Sequence, residues 1–107
     1  TIFRILRDTE LARLVKRLHS YECQICGHTI EFFDGSRYAE SHHIQPLGKP
    51  HSGPDIISNI ICVCPNHHAE LDYGARHIEM KLLKRAKDHK IDSIFIEYHN
   101  KKIFKDG

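Results

Sequence analysis

The chain has 107 residues, no Trp, 8% aromatic and 40% apolar content, enough for one domain but not for a large core, so a cross-link such as zinc would help it fold. Sixteen Lys and Arg against fourteen Asp and Glu leave a net charge of only +2, so composition by itself announces no nucleic-acid partner; the ten histidines say more. No signal peptide, no apolar run of membrane-spanning length and no repeat is visible, which argues against a membrane protein and for a cytoplasmic one. The first residue is Thr rather than Met, which suggests a piece of a longer protein or a processed form.

In chain order, residues 10–19 carry Leu11, Leu14, Val15 and Leu18 at helical spacing, with Asp8 or Thr9 placed to cap the first turn. The other face, Arg13, Lys16 and Arg17, forms with Arg4 and Arg7 a basic stretch that suits either a phosphate backbone or a solvated helix face. Next, Cys23-Gln-Ile-Cys26-Gly27 has the shape of a zinc knuckle, two thiolates over a tight turn, and Cys64-Pro-Asn-His67 is its partner. The 37 residues between Cys26 and Cys64 are too many for a simple finger, so one ion would join two knuckles on either side of what lies between. A C-x-x-C can also be a redox pair and four Cys two disulfides, but a second knuckle ending in His favours zinc. Cys62 is left over, and reads as a small buried apolar residue rather than a ligand.

Between the knuckles, residues 38–44 are predicted to form a strand and residues 56–63 to return as a second one. Gly48, Gly53, Pro46, Pro50 and Pro54 make the broad turn. A short helix follows, started at Pro65 and Asn66 and stopped by Gly74. Within it His68 and Asp72 are four apart and share a face. Residues 76–83 read as a further strand, 84–90 as a basic run, and 92–101 as a helix with Ile94, Phe95 and Tyr98 on its apolar side. Lys81, Lys84, Arg85, Lys87 and Lys90 could meet phosphates or be a solvated charge run. The isolated His19, His28, His51, His77, His89 and His99 have no spacing that demands a metal, so surface or packing roles suffice.

Ser41-His42-His43-Ile44 with Pro46, Asn59 five residues before Cys64, and His67-His68 resemble the HNH endonuclease family over residues 22–74. More narrowly, RDTELARLVKRLHSYECQICG, PLGKPHSGPD, NIICVCPNHHAELDYGA, and the later HKID and EYH resemble the HNH domains fused to SRA (SET- and RING-associated) modules in modification-dependent restriction enzymes. The resemblance implies an α+β domain over 1–107. Its small ββα-metal core and zinc knuckles occupy 22–74, between an N-terminal helix region (1–21) and a C-terminal packing segment with its helix (75–107).

The roles implied are residue by residue. His43 would be the general base, its imidazole titrating near neutrality. His42, where the family often has Asp, and His68 would hold one catalytic divalent ion, with Mg²⁺, Mn²⁺, Ni²⁺, Co²⁺ and Zn²⁺ all compatible with imidazole donors. Asp72 is a third ligand, a group that orients one, or an ordinary exposed carboxylate. Asn59 would bond across the hairpin loop and hold His43 in its productive rotamer. Cys23, Cys26, Cys64 and His67 would hold a structural Zn²⁺. The implied activity is hydrolysis of DNA phosphodiesters, with recognition by a separate domain and room for a homodimer. The other class of reading is a zinc-stapled nucleic-acid-binding module without chemistry. Loss of chemistry would show as replacement of the base or a ligand, and none is replaced.

Overall fold

The computed structural model describes residues 8–104, so Arg4 and Arg7 of the basic stretch lie outside the described residues. The first helix, α1 (Glu10–Leu18), starts where Thr9 accepts a hydrogen bond from the Ala12 amide, so Thr9 rather than Asp8 caps it. Asp8 instead pairs with Lys16 at 3.0 Å, which withdraws one charge from the basic face. A short hairpin that the sequence reading does not contain follows the first knuckle: β1 (Ile30–Glu31) pairs antiparallel with β2 (Arg37–Tyr38).

The site is built on the next pair, β3 (Glu40–His43) and β4 (Ile60–Val63), antiparallel with Ser41 opposite Cys62, His42 opposite Ile61 and His43 opposite Ile60. The expected strands 38–44 and 56–63 are thus both shorter. Tyr38 is taken by β2, and residues 57–59 form a 3₁₀ turn closed by the Asn59 amide on the Ile56 carbonyl. All four residues of β4 are buried, because alternate side chains pack on opposite layers. Ile60 and Cys62 join Val15 of α1 and Ala39 in one cluster; Ile61 and Val63 join Leu71, Ile78, Leu83, Phe95 and Ile96 in the other. Each fully buried aliphatic side chain contributes roughly 1.5 to 3 kcal/mol, which makes β4 the shared wall of a divided core.

Helix α2 (Pro65–Asp72) begins with Cys64 at its N-cap and Pro65 in its first turn, and ends before Gly74, whose φ of +71° is the left-handed stop expected of it. Beyond it the predicted strand at 76–83 does not form. The backbone of Ile78 is instead held by the Asn100 side chain, which accepts from the Ile78 amide and donates to its carbonyl, both at 2.8 Å, and Met80–Leu82 is a 3₁₀ turn. A side-chain amide has taken the place of a partner strand. The last helix, α3 (Ser93–Tyr98), is capped by Asp92 and continues as a π turn over His99–Ile103. Its inner face is Phe95 and Ile96; Ile94, expected inside, is 60% exposed.

The isolated histidines include one buried staple. His89 donates Nε2–H to the Ile57 carbonyl at 2.8 Å, which leaves its Nδ1 bare to accept from His19 Nε2 at 2.7 Å, and so ties the end of α1 to the basic run and to the turn before β4. Burial, with the neighbouring His89 adding to it, pushes His19 down to about 4. The folded pKa lies below the ordinary 6.5, so the unfolded chain binds the extra proton and stability is lost as pH falls from about 6.5 toward 4. His19→Gln, which keeps a donor without the titration, is expected to flatten the fall of Tm across that window. Parallel Tm–pH profiles for the two proteins would contradict it.

Candidate active site

Two groups of donors form around the β3–β4–α2 unit. In the first, the Sγ atoms of Cys23, Cys26 and Cys64 and a ring nitrogen of His67 all lie within 4.8 Å of one another. Cys26 and Cys64 are 3.9 Å apart, Cys23 is 3.6 Å from His67 Nδ1, and Cys64 is 3.4 Å from it. Ligands at ordinary zinc bond lengths on a tetrahedron are roughly 3.5 to 3.8 Å apart, so these four donors fit that ion. The separation of 3.9 Å excludes a disulfide between Cys26 and Cys64, and all four Cys are free. Cys62 takes no part: it is fully buried, and burial pushes its thiol up to about 12, which leaves an inert apolar side chain.

The first knuckle is located by Gln24, whose buried amide the sequence reading missed. Its side chain donates to the Lys84 carbonyl and accepts from the Cys62 amide, both at 2.9 Å, while its own amide donates to the Cys62 carbonyl at 2.8 Å. The knuckle is thereby tied to β4 through both the backbone and the side chain of Gln24. On the far side of His67, Glu70 approaches Nε2 to 3.8 Å and is itself held by Arg76 at 2.8 Å.

In the second group, ring nitrogens of His42 and His68 and a carboxylate oxygen of Asp72 lie within 4.8 Å of one another. His42 Nδ1 is 3.3 Å from Asp72 Oδ1 and His68 Nε2 is 3.5 Å from Oδ2. His42 and His68 are buried, whereas the Asp72 side chain is 25% exposed and opens the group to solvent. Burial pushes the His42 imidazole down to about 4 against the pull of Asp72, so it is neutral and its lone pair is available. His68 turns Nε2 inward because its Nδ1 donates to Glu40 Oε1 at 2.9 Å, and the other oxygen of Glu40 accepts from Tyr38 at 2.7 Å. A carboxylate behind a His ring fixes the tautomer that leaves the opposite nitrogen bare. Two imidazoles and a carboxylate with an open side fit a divalent ion that keeps positions for other ligands.

His43 sits beside this group, and His42, His43, His68 and Asp72 line one cleft with Ser41, Pro46 and Leu47. Its Nε2 is 2.8 Å from Asp55 Oδ1, and Asp55 is held by the Thr9 hydroxyl at 3.1 Å. Asn59 makes no hydrogen bond to the His43 ring among the described residues. Fully buried, it spans the hairpin loop, accepting from the Gln45 amide at 2.9 Å and donating to the carbonyls of Gln45 and Pro54 at 3.0 and 2.9 Å. Asn59 shapes the backbone around His43, and Asp55 holds its ring. The loop is close-packed: a Cβ on Gly53 would lie 2.0 Å from the Gln45 carbonyl oxygen, so only Gly fits there.

A profile described as HNH endonuclease matches residues 23–79, more than half of the chain and all of both donor groups. The chain belongs to the HNH endonuclease family. It is 38% identical over 60 residues to the type IV methyl-directed restriction enzyme EcoKMcrA of Escherichia coli (strain K12), a match covering 54% of this chain and 21% of that enzyme. Its fold is similar to part of a solved structure, the modification dependent TagI restriction endonuclease, with a TM-score of 0.78 and 37% identity over 90% of this chain and 38% of that one. The HNH chain thus spans about a fifth of the one relative and well under half of the other. His43 on β3, Asn59 in the 3₁₀ turn before β4 and the His67-His68 pair on α2 all lie within the matched span. Glu40 and Asp55, which hold His68 and His43, carry no signal of their own in the sequence.

Asn59 bears on stability as well as on the site. Asn59→Ala strands the half-buried Gln45 amide and removes three hydrogen bonds, and is expected to cost roughly 2 to 4 kcal/mol in urea unfolding. A loss below about 1 kcal/mol would show that the loop is held by other contacts.

Proposed function

We propose that this HNH domain is the metal-dependent cleavage module of a restriction enzyme acting on modified DNA, hydrolysing phosphodiester bonds with His43 as general base. The observation that carries the proposal is the cleft in which His43 adjoins the His42, His68 and Asp72 donors. His43 Nε2 faces Asp55, which stabilises the ring as it gains charge, and its Nδ1, with no hydrogen bond among the described residues, is the atom that takes the proton from water. His42, His68 and Asp72 would hold the divalent ion, and their borderline imidazoles and hard carboxylate suit Mn²⁺, Co²⁺, Ni²⁺ or Zn²⁺ as well as Mg²⁺. Bound there, such an ion would supply Lewis-acid charge to the scissile phosphate. Cys23, Cys26, Cys64 and His67 hold a structural Zn²⁺, worth on the order of 10 kcal/mol of folding free energy to a domain this small.

Lys81, Lys84, Arg85, Lys87 and Lys90 are all exposed and supply phosphate contacts, which position DNA without reading its sequence. Choice of site then falls to a separate reader. This accords with the share of EcoKMcrA and TagI that the chain covers and with their names as methyl-directed and modification dependent enzymes. No helix among the described residues is long and apolar enough to cross a membrane.

Separating the base from the ligands tests the proposal. His43→Ala is expected to slow cleavage of DNA by roughly 10² to 10⁴ while Mn²⁺ binding, followed by calorimetry at fixed pH, stays near the unsubstituted value. His42→Ala and His68→Ala are expected to lose binding and cleavage together. Weak Mn²⁺ binding by His43→Ala with normal binding by His42→Ala would reverse the roles.

A further inference from the structure

Behind the cleft, two buried ring nitrogens have no protein partner among the described residues: His42 Nε2 and His99 Nδ1. The rings that carry them are neighbours, perpendicular, with centroids 6.4 Å apart, and both are enclosed, at 3% and 0% exposure. Buried polar groups without a partner are costly, so two of them side by side call for a common explanation.

The surrounding hydrogen bonds fix what each nitrogen is. His99 Nε2 donates to the Arg76 carbonyl at 2.7 Å, so in the neutral ring its Nδ1 carries no proton and is an acceptor. His42 turns Nδ1 toward Asp72 at 3.3 Å; with a cation on that side its proton must stand on Nε2, which is then a donor. Donor and acceptor are matched. With each nitrogen roughly 1.2 Å from its ring centre, the 6.4 Å between centroids holds the two at least ~4 Å apart, too far for a direct N–H···N bond of ~3 Å and, on facing ring edges, within reach of one water making two such bonds. Asp72 and His68 lie on the cleft side of His42, and His77, itself exposed, is the charged neighbour of His99.

We infer that one buried water joins His42 Nε2 to His99 Nδ1, making His99 a positioning residue for the catalytic metal through the relay His42, water, His99 and the Arg76 carbonyl. The inference rests on the reading of His42 as a metal ligand. A water suits this place better than a protein donor, because it can donate to His42 when the cleft is empty and accept from it when a cation takes Nδ1. The relay also gives the C-terminal segment a function. His99 sits where α3 runs into the π turn, and the Arg76 that accepts from it reaches through Glu70 toward His67 of the other donor group.

The test measures Mn²⁺ affinity by calorimetry in zinc-loaded protein, with Tm followed in parallel. His99→Phe keeps the ring volume and removes the nitrogen; it is expected to bind Mn²⁺ 10- to 100-fold more weakly, with His99→Gln, which keeps an acceptor, recovering part of the loss. A crystal structure of the Mn²⁺-loaded protein should show a water within hydrogen-bond distance of both nitrogens, a readout that stands even where a variant fails to fold. Mn²⁺ affinity of His99→Phe within twofold of the unsubstituted protein, or that space empty of solvent in the crystal, overturns the relay. His42→Ala distinguishes the two levels: if it loses Mn²⁺ while His99→Phe does not, the relay alone fails, and if it keeps Mn²⁺ the reading of the cleft fails with it.

Discussion

Where β3 pairs with β4, His42 stands opposite Ile61 and His43 opposite Ile60, so successive imidazoles leave the strand for different layers of the protein. A slip of one residue would exchange them. His42 would then turn toward α1 and Asp55, and His43 toward His68 and Asp72, with neither held as it is now. The register is fixed from two sides. Ser41, the residue before the pair, donates to the Ala12 carbonyl of α1 at 2.7 Å, and Asn59 closes the loop end by gripping Gln45 and Pro54. Fully buried Ile60 and Ile61, facing opposite layers, make any other register expensive.

Helix α2 then serves both donor groups at once. Cys64 is its N-cap, His67 and His68 are adjacent in its first turns, and Asp72 is its last residue. Adjacent positions on a helix diverge by about a quarter turn or more, so His67 faces the thiols and His68 the strand pair. The knuckle that fixes the start of this helix therefore also sets the position of His68 against His42. Behind each ring stands a group that holds it: Glu40 for His68, Asp55 for His43, Glu70 near His67. Rigidity of this kind matters because donor positions must hold to a fraction of an ångström for metal binding and proton transfer.

What was legible in the sequence was local. The C-x-x-C and C-x-x-H pairs, the His pair on a strand and the left-handed Gly74 each depend on neighbours within a few residues, so spacing alone displayed them. Glu40 and Asp55 were not legible: they act on rings 28 and 12 residues away, and nothing distinguishes them from the other acidic side chains. Asn59 was found, with its bonds across the hairpin loop, but which backbone groups it reaches could not be read from a single position. The C-terminal errors have the same origin. Residues 76–83 have an apolar pattern, yet Asn100, 22 residues on, satisfies the backbone of Ile78 and no strand is needed. Ile94 falls in the first turn of α3 on the solvent side, a phase set by the Asp92 cap rather than by the apolar run.

We propose that one chain carries two metal sites of different kinds, a closed one that holds the fold and an open one that does the chemistry. Metal analysis after exhaustive dialysis against a moderate chelator, paired with circular dichroism and a DNA cleavage assay, tests it most directly. The account expects one zinc per chain to remain with the fold intact, cleavage to vanish, and cleavage to return on adding Mn²⁺ without change in zinc content. Folded, active protein with no zinc, or full cleavage with no metal beyond the retained zinc, would contradict it.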